Sequence, residues 1–152
     1  MKRAYVVISI GAVGLMGFSV AAKAQSVGNY FLVITGDIRT PLSKDEAVTC
    51  AVSAYLLPGA APSAIGSGPN SAQQRATVSD DGKRYACQIV VPYVHPVPPG
   101  GRQLVVSYSV TRALPNAGAA LSSAAPKQTV KELRVPAVPA GPQLLPPVVE
   151  DL

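Results

Sequence analysis

Arg84-Tyr85-Ala86-Cys87-Gln88-Ile89-Val90-Val91-Pro92-Tyr93-Val94-His95 alternates with a period of two. Tyr85, Cys87, Ile89, Val91 and Tyr93 fall on one side, with Arg84, Ala86, Gln88, Val90 and Pro92 on the other. Successive side chains of a strand point to opposite faces, so this stretch predicts a β-strand that buries one face. Pro92 has no N–H for a ladder, which places it at a sheet edge or a bulge. Downstream, Leu104, Val106, Tyr108 and Val110 share a face opposite Ser107, Ser109 and Thr111, predicting a second strand over Gln103 to Arg112 with a polar solvent face. The connection from His95 to Gly101 is rich in Pro and Gly, so the two strands are expected to form an antiparallel hairpin.

The same reading extends outward. Tyr30 to Ile34 is apolar on both faces and predicts a strand covered on both sides. Ala47 to Leu57 is open to two readings, because Ser43-Lys44-Asp45-Glu46 has the form of a helix capping box. Alternation of Val48, Cys50, Val52, Ala54 and Leu56 favours a strand, and it puts Cys50 on an apolar face just as Cys87 lies on one. Pro58 to Ala72 reads as a long loop, Ala76 to Ser79 as a short strand turned by Asp80-Asp81-Gly82-Lys83 into the Cys87 strand, and Thr129 to Val135 as a final strand. The segment 136–152 carries Pro136, Pro139, Pro142, Pro146 and Pro147 and is expected to be an extended or disordered proline-rich tail. The fold class is therefore all-β over 25–135, a small antiparallel sandwich or barrel.

The first residues point to export. Lys2 and Arg3, an apolar run from Ala4 to Val20, and Ala22-Lys23-Ala24 before Gln25 follow the order of a secretory signal, with cleavage expected between Ala24 and Gln25. The apolar run contains Gly11, Gly14 and Gly17 and is shorter than the roughly 20 residues of a membrane-spanning helix, so no lasting anchor is expected. In an oxidising compartment Cys50 and Cys87 are expected to form one disulfide, with two free thiols as the other possibility. Loss of residues 1–24 would leave ten basic against eight acidic groups, which removes the basic excess that nucleic-acid binding requires.

Asp81-Gly82-Lys83-Arg84-Tyr85-Ala86-Cys87 resembles the D-x-x-x-Y-x-C segment of immunoglobulin-like domains. The resemblance spans about Ala47 to Arg112. It implies a small antiparallel two-sheet sandwich of immunoglobulin-like type, a tyrosine corner built on Asp81 and Tyr85, a bridge from Cys50 to Cys87, and a binding or scaffolding role, with another small sandwich or barrel as the competing architecture. The chain departs from that family in having no Trp and a short spacing between its cysteines.

No set of residues forms a catalytic, metal or cofactor motif. His95 is the only histidine, so any Ser-His mechanism must pass through it, and its place between Val94 and Pro96 predicts a solvated strand end. Asp80 and Asp81 lack the spacing of a calcium loop. Tyr55, alternating outward, is the best exposed contact residue. The expected function is an exported, non-enzymatic binding or structural module that engages another envelope protein through a sheet edge or loop. The alternatives are a small hydrolase using His95, or a pilus-type subunit that exchanges the Tyr30 to Ile34 strand with a neighbour.

Overall fold

The computed structural model describes residues 25–59, 64–96, 102–113, 127–138 and 141–152. The candidate leader, including Ala24, and the loop after Leu114 lie outside them. Nine strands and no helix occur among the described residues: β1 Gln25–Asp37, β2 Ala47–Leu56, β3 Ser71–Arg75, β4 Thr77–Val78, β5 Arg84–Pro96, β6 Gln103–Ala113, β7 Lys127–Pro136, β8 Gln143–Leu144 and β9 Val148–Val149. They form two sheets. One runs β4-β5-β1-β8, with β9 also on β1; the other runs β3-β2-β6-β7.

The inner faces of both sheets meet in one core built from the alternate residues expected of it. Tyr85, Cys87, Ile89, Val91 and Tyr93 of β5 pack with Val48, Cys50, Val52 and Ala54 of β2 and Leu104, Val106, Tyr108 and Val110 of β6. Ala47–Leu56 is a strand, and the Ser43–Glu46 pattern closes a tight turn instead of starting a helix. Glu46 Oε2 accepts from the Ser43 N–H at 2.8 Å, and the Glu46 N–H donates back to the Ser43 carbonyl at 3.1 Å. Arg112 from the end of β6 then grips that carboxylate with Nε and Nη2, at 2.9 and 2.7 Å. The bidentate pair holds the Glu46 pKa down to about 2.

Cys50 and Cys87 are bridged, with Cα atoms 6.4 Å apart and both residues fully buried. The bond joins β2 of one sheet to β5 of the other, so it ties the two layers through the core. A core disulfide is consistent with an oxidising extracellular compartment. Among the described residues no helix is long and apolar enough to cross a membrane.

Four sequence expectations require correction. β5 and β6 are not a hairpin: β5 pairs with β1 over its whole length, while β6 lies between β2 and β7 in the other sheet. Stacked sheets lie about 10 Å apart, a distance the Pro-rich connection can cross as easily as it can reverse. β1 is not covered on both sides, since Tyr30, Leu32 and Ile34 are buried while Val33 faces outward. The outer face of β6 is not solvated, because Ser107 and Ser109 are buried. Finally, the end of the expected Pro58 to Ala72 loop begins β3, which pairs with β2 from Ser53↔Ser71 to Thr49↔Arg75.

The proline-rich segment also differs from a free tail. Gln143 and Leu144 pair with Tyr30 and Phe31, and Val148 and Val149 pair with Ile34 and Thr35, both in parallel. Pro146 and Pro147 interrupt the ladder between them. The result is a broken strand on the free edge of β1, with Leu145 and Leu152 inserted into the core. Pro92 does sit where β5 is open. The Val94 N–H, which points the same way two residues on, donates to Asn70 Oδ1 and not to β1.

Candidate functional site

The β4-β5-β1-β8 sheet has two distinctive features: the way it holds the C-terminal segment, and the face it turns outward.

The segment is held by a motif that occurs twice. Gly36 of β1 lies opposite Tyr85 of β5, and Gly28 lies opposite Tyr93. Each tyrosine reaches across its glycine to a carbonyl of the C-terminal segment: Tyr85 Oη donates to Glu150 O at 2.5 Å and Tyr93 Oη to Gly141 O at 2.8 Å. The glycines are required for close approach. A Cβ on Gly36 would stand 1.8 Å from the Glu150 carbonyl oxygen, and one on Gly28 would stand 2.4 Å from that of Gly141. Main-chain bonds from Leu145 N to Phe31 O, Glu150 N to Thr35 O and Leu152 N to Asp37 O complete the attachment. Glu150, itself buried, places Oε2 2.7 Å from Lys131 Nζ of β7, a charge contact without an aligned hydrogen bond to that oxygen. The segment thus links β1 to the edge strand of the opposite sheet.

Tyr85 is therefore not a tyrosine corner in the expected sense. Its hydroxyl bonds the far end of the chain, and Asp81 serves the local turn by accepting from Ser79 Oγ at 2.6 Å and from the Lys83 N–H at 3.1 Å. Burial raises the Tyr85 pKa above the ordinary tyrosine value, with Glu150 adding to it.

His95 is buried at 3% exposure rather than solvated, which corrects the sequence reading. It stacks on Tyr93, with ring centroids 4.9 Å apart, and its Nε2 is hydrogen-bonded to Tyr30 Oη at 2.7 Å. Tyr30 and Tyr93 are themselves stacked at 4.3 Å. Desolvation lowers the His95 pKa and raises that of Tyr30. An imidazole in this position presents no open face to a substrate. Tyr55, the expected contact residue, is half-buried and donates a long hydrogen bond to Glu132.

The outward face of β1 and β5 has the opposite character. Val27 is 60% exposed, Val94 50%, Val90 47% and Leu144 83%. Val27 lies directly across from Val94, and Phe31 lies between Val90 and Leu144, so these side chains form adjoining rows. From Gln25 to Thr35 and from Ala86 to Val94 no outward residue carries a charge. The other sheet is arranged the other way. Its small outer residues are covered in part by the loop over 64–70, where the Gly66 N–H donates to Ser53 Oγ at 2.8 Å and Gly66 packs on Ala51. An open groove of about 450 Å³ lies at one end of this face, lined by the charged Asp37 and Arg84 together with Thr35, Val78 and Val149. The sequence carries the signal for this face in the branched residues at both parities of Tyr30 to Ile34 and Gln88 to Val94, a pattern that a strand covered on both sides shares.

No protein-family model matches the chain, and neither curated proteins nor solved structures gave a match to it.

Proposed function

We propose that this chain is an exported, non-enzymatic interaction or structural module of the cell envelope, and that the outer face of β1 and β5 is its working surface. The observation that supports this reading is an uncharged, mainly apolar face, interrupted by Asn29 and Gln88, on a sandwich whose opposite sheet has most outer residues of β2 and β6 buried. Soluble domains rarely leave such rows of Val, Phe and Leu in water unless something binds them. The face replaces the sheet edge as the preferred contact, because the open part of β5 is blocked by Pro92 and by Asn70, and the edge strand β7 carries Lys131, Glu132 and Arg134. The inter-sheet disulfide supports an immunoglobulin-like arrangement, a scaffold that displays surfaces in many unrelated proteins.

The test is in-cell crosslinking from a photoreactive residue at Gln88, which lies on this face. The expected result is one dominant crosslinked species that disappears in a Val90→Lys background. Crosslinks that are absent, or indifferent to Val90→Lys, would remove the face as the working surface.

A further inference from the structure

We propose that the first occupant of this face is a second copy of the same chain, packed sheet to sheet about a two-fold axis, an inference that rests on the working surface assigned above. Three observations favour a copy over other partners.

The first is charge. Two identical faces meet without like-charge repulsion only when they carry none, and here the nearest charged pair, Asp37 opposite Arg84, lies at the end of the strands. A lipid surface would be better served by a basic rim, which this face lacks.

The second is shape. A sheet surface is twisted, and its best complement is another sheet of the same hand, the two stacking about 10 Å apart and about 30° from parallel. A second copy supplies the same twist and the same rows of side chains, which is the condition for a self-complementary two-fold interface.

The third is area. Two thirteen-residue strands and the four paired residues of β8 and β9, at about 3.4 Å per residue and about 4.8 Å between strands, give a face of about 500 Å² on each copy. That is about 1,000 Å² for the pair, in the range of weak, reversible complexes and above most crystal-packing contacts. A reversible dimer in the micromolar range is expected. The C-terminal segment takes part, because docking of Gln143 and Leu144 on β1 is what sets Leu144 beside Phe31 and adds the third strand. Val27, Phe31, Val33, Val90, Val94 and Leu144 supply the apolar part of the contact, with Asn29 and Gln88 among them.

Sedimentation equilibrium on the product purified from cells expressing the full chain, over about 1–200 µM, tests this. The wild type is expected to shift from monomer to dimer across that range. Val90→Lys and Leu144→Lys each place two charges in a closed two-fold interface, so either weakens association by about 100-fold or more. Val130→Lys, at an exposed position on β7, leaves it unchanged. Circular dichroism and thermal melts show whether each variant is folded, and Leu144→Lys serves if Val90→Lys is not. A wild type monomeric at 200 µM overturns the proposal, as does a dimer that survives both lysine variants or a chain that binds vesicles of zwitterionic lipid in place of itself. Because crosslinking from Gln88 is read separately, a monomer that still crosslinks to a different protein in a Val90-dependent way would sink the second copy alone. Loss of both signals would sink the working surface with it.

Discussion

Substituting Gly36 by Ala tests whether the C-terminal segment is a bound part of the fold. The added Cβ would lie 1.8 Å from the Glu150 carbonyl oxygen and 2.8 Å from the Tyr85 ring, and ordinary carbon contacts begin near 3.4 Å. The neighbour is main chain on one side and a core tyrosine on the other, so the least costly response is withdrawal of the segment. That response breaks the Glu150 to Thr35 and Leu152 to Asp37 main-chain bonds, the Arg39 to Leu152 bond and the Tyr85 to Glu150 bond. At about 1 kcal/mol each this amounts to about 4 kcal/mol. Exposure of Leu152 adds about 2 kcal/mol, while freedom regained by Glu150, Asp151 and Leu152 returns about 3 kcal/mol at about 1 kcal/mol each. A net loss of about 2–4 kcal/mol is expected. Urea unfolding with the disulfide intact, followed by circular dichroism, measures it. The decisive comparison is a double-mutant cycle with a chain ending at Pro147: once the segment is gone, Gly36→Ala is expected to cost less than about 1 kcal/mol. Full cost in the shortened chain, or no cost in the long one, would refute the clamp.

Other outcomes follow from the same geometry. Reduction of the Cys50–Cys87 bridge frees a loop of separation 37, and the entropy model puts the loss at about 4 kcal/mol, read as a lowered urea midpoint in reductant. His95 has its pKa lowered by burial, so the unfolded chain takes up a proton before the folded one does. Its contribution is complete above the ordinary value of 6.5 and is lost as pH falls below it; the melting temperature is expected to drop between pH 7 and 5, and His95→Gln to flatten that drop. Glu46 gives a separate acid step, present above about 4.5 and lost as pH falls toward 2, and Arg112→Ala removes it at a cost of about 1–2 kcal/mol at neutral pH after allowance for partial exposure. Val90→Lys is expected to change unfolding free energy by no more than about 0.5 kcal/mol in the monomer, which separates its effect on association from folding.

Period-two alternation in the sequence determined most of the strands, the inward faces of β2, β5 and β6, and through them the meeting of Cys50 with Cys87. These are local properties: a strand exposes alternate residues whatever lies beside it, and two cysteines on buried faces of one small domain have few other places to go. Tertiary structure alone decided which strands became neighbours. Nothing in residues 84–112 distinguishes a hairpin from a crossing between layers, because both use the same strands and the same Pro-Gly connection, and only the availability of β1 as a full-length partner for β5 settles it. The proline-rich segment departs from expectation for a related reason. Proline weakens a strand's own ladder, but the segment is held by groups far away in sequence, the paired Gly36–Tyr85 and Gly28–Tyr93, whose joint purpose is visible only when β1 and β5 lie side by side. The exposed Val face has the same origin. Branched residues at both parities state that two faces are apolar, whereas whether the second face is covered depends on what the rest of the chain brings to it, and among the described residues it brings nothing.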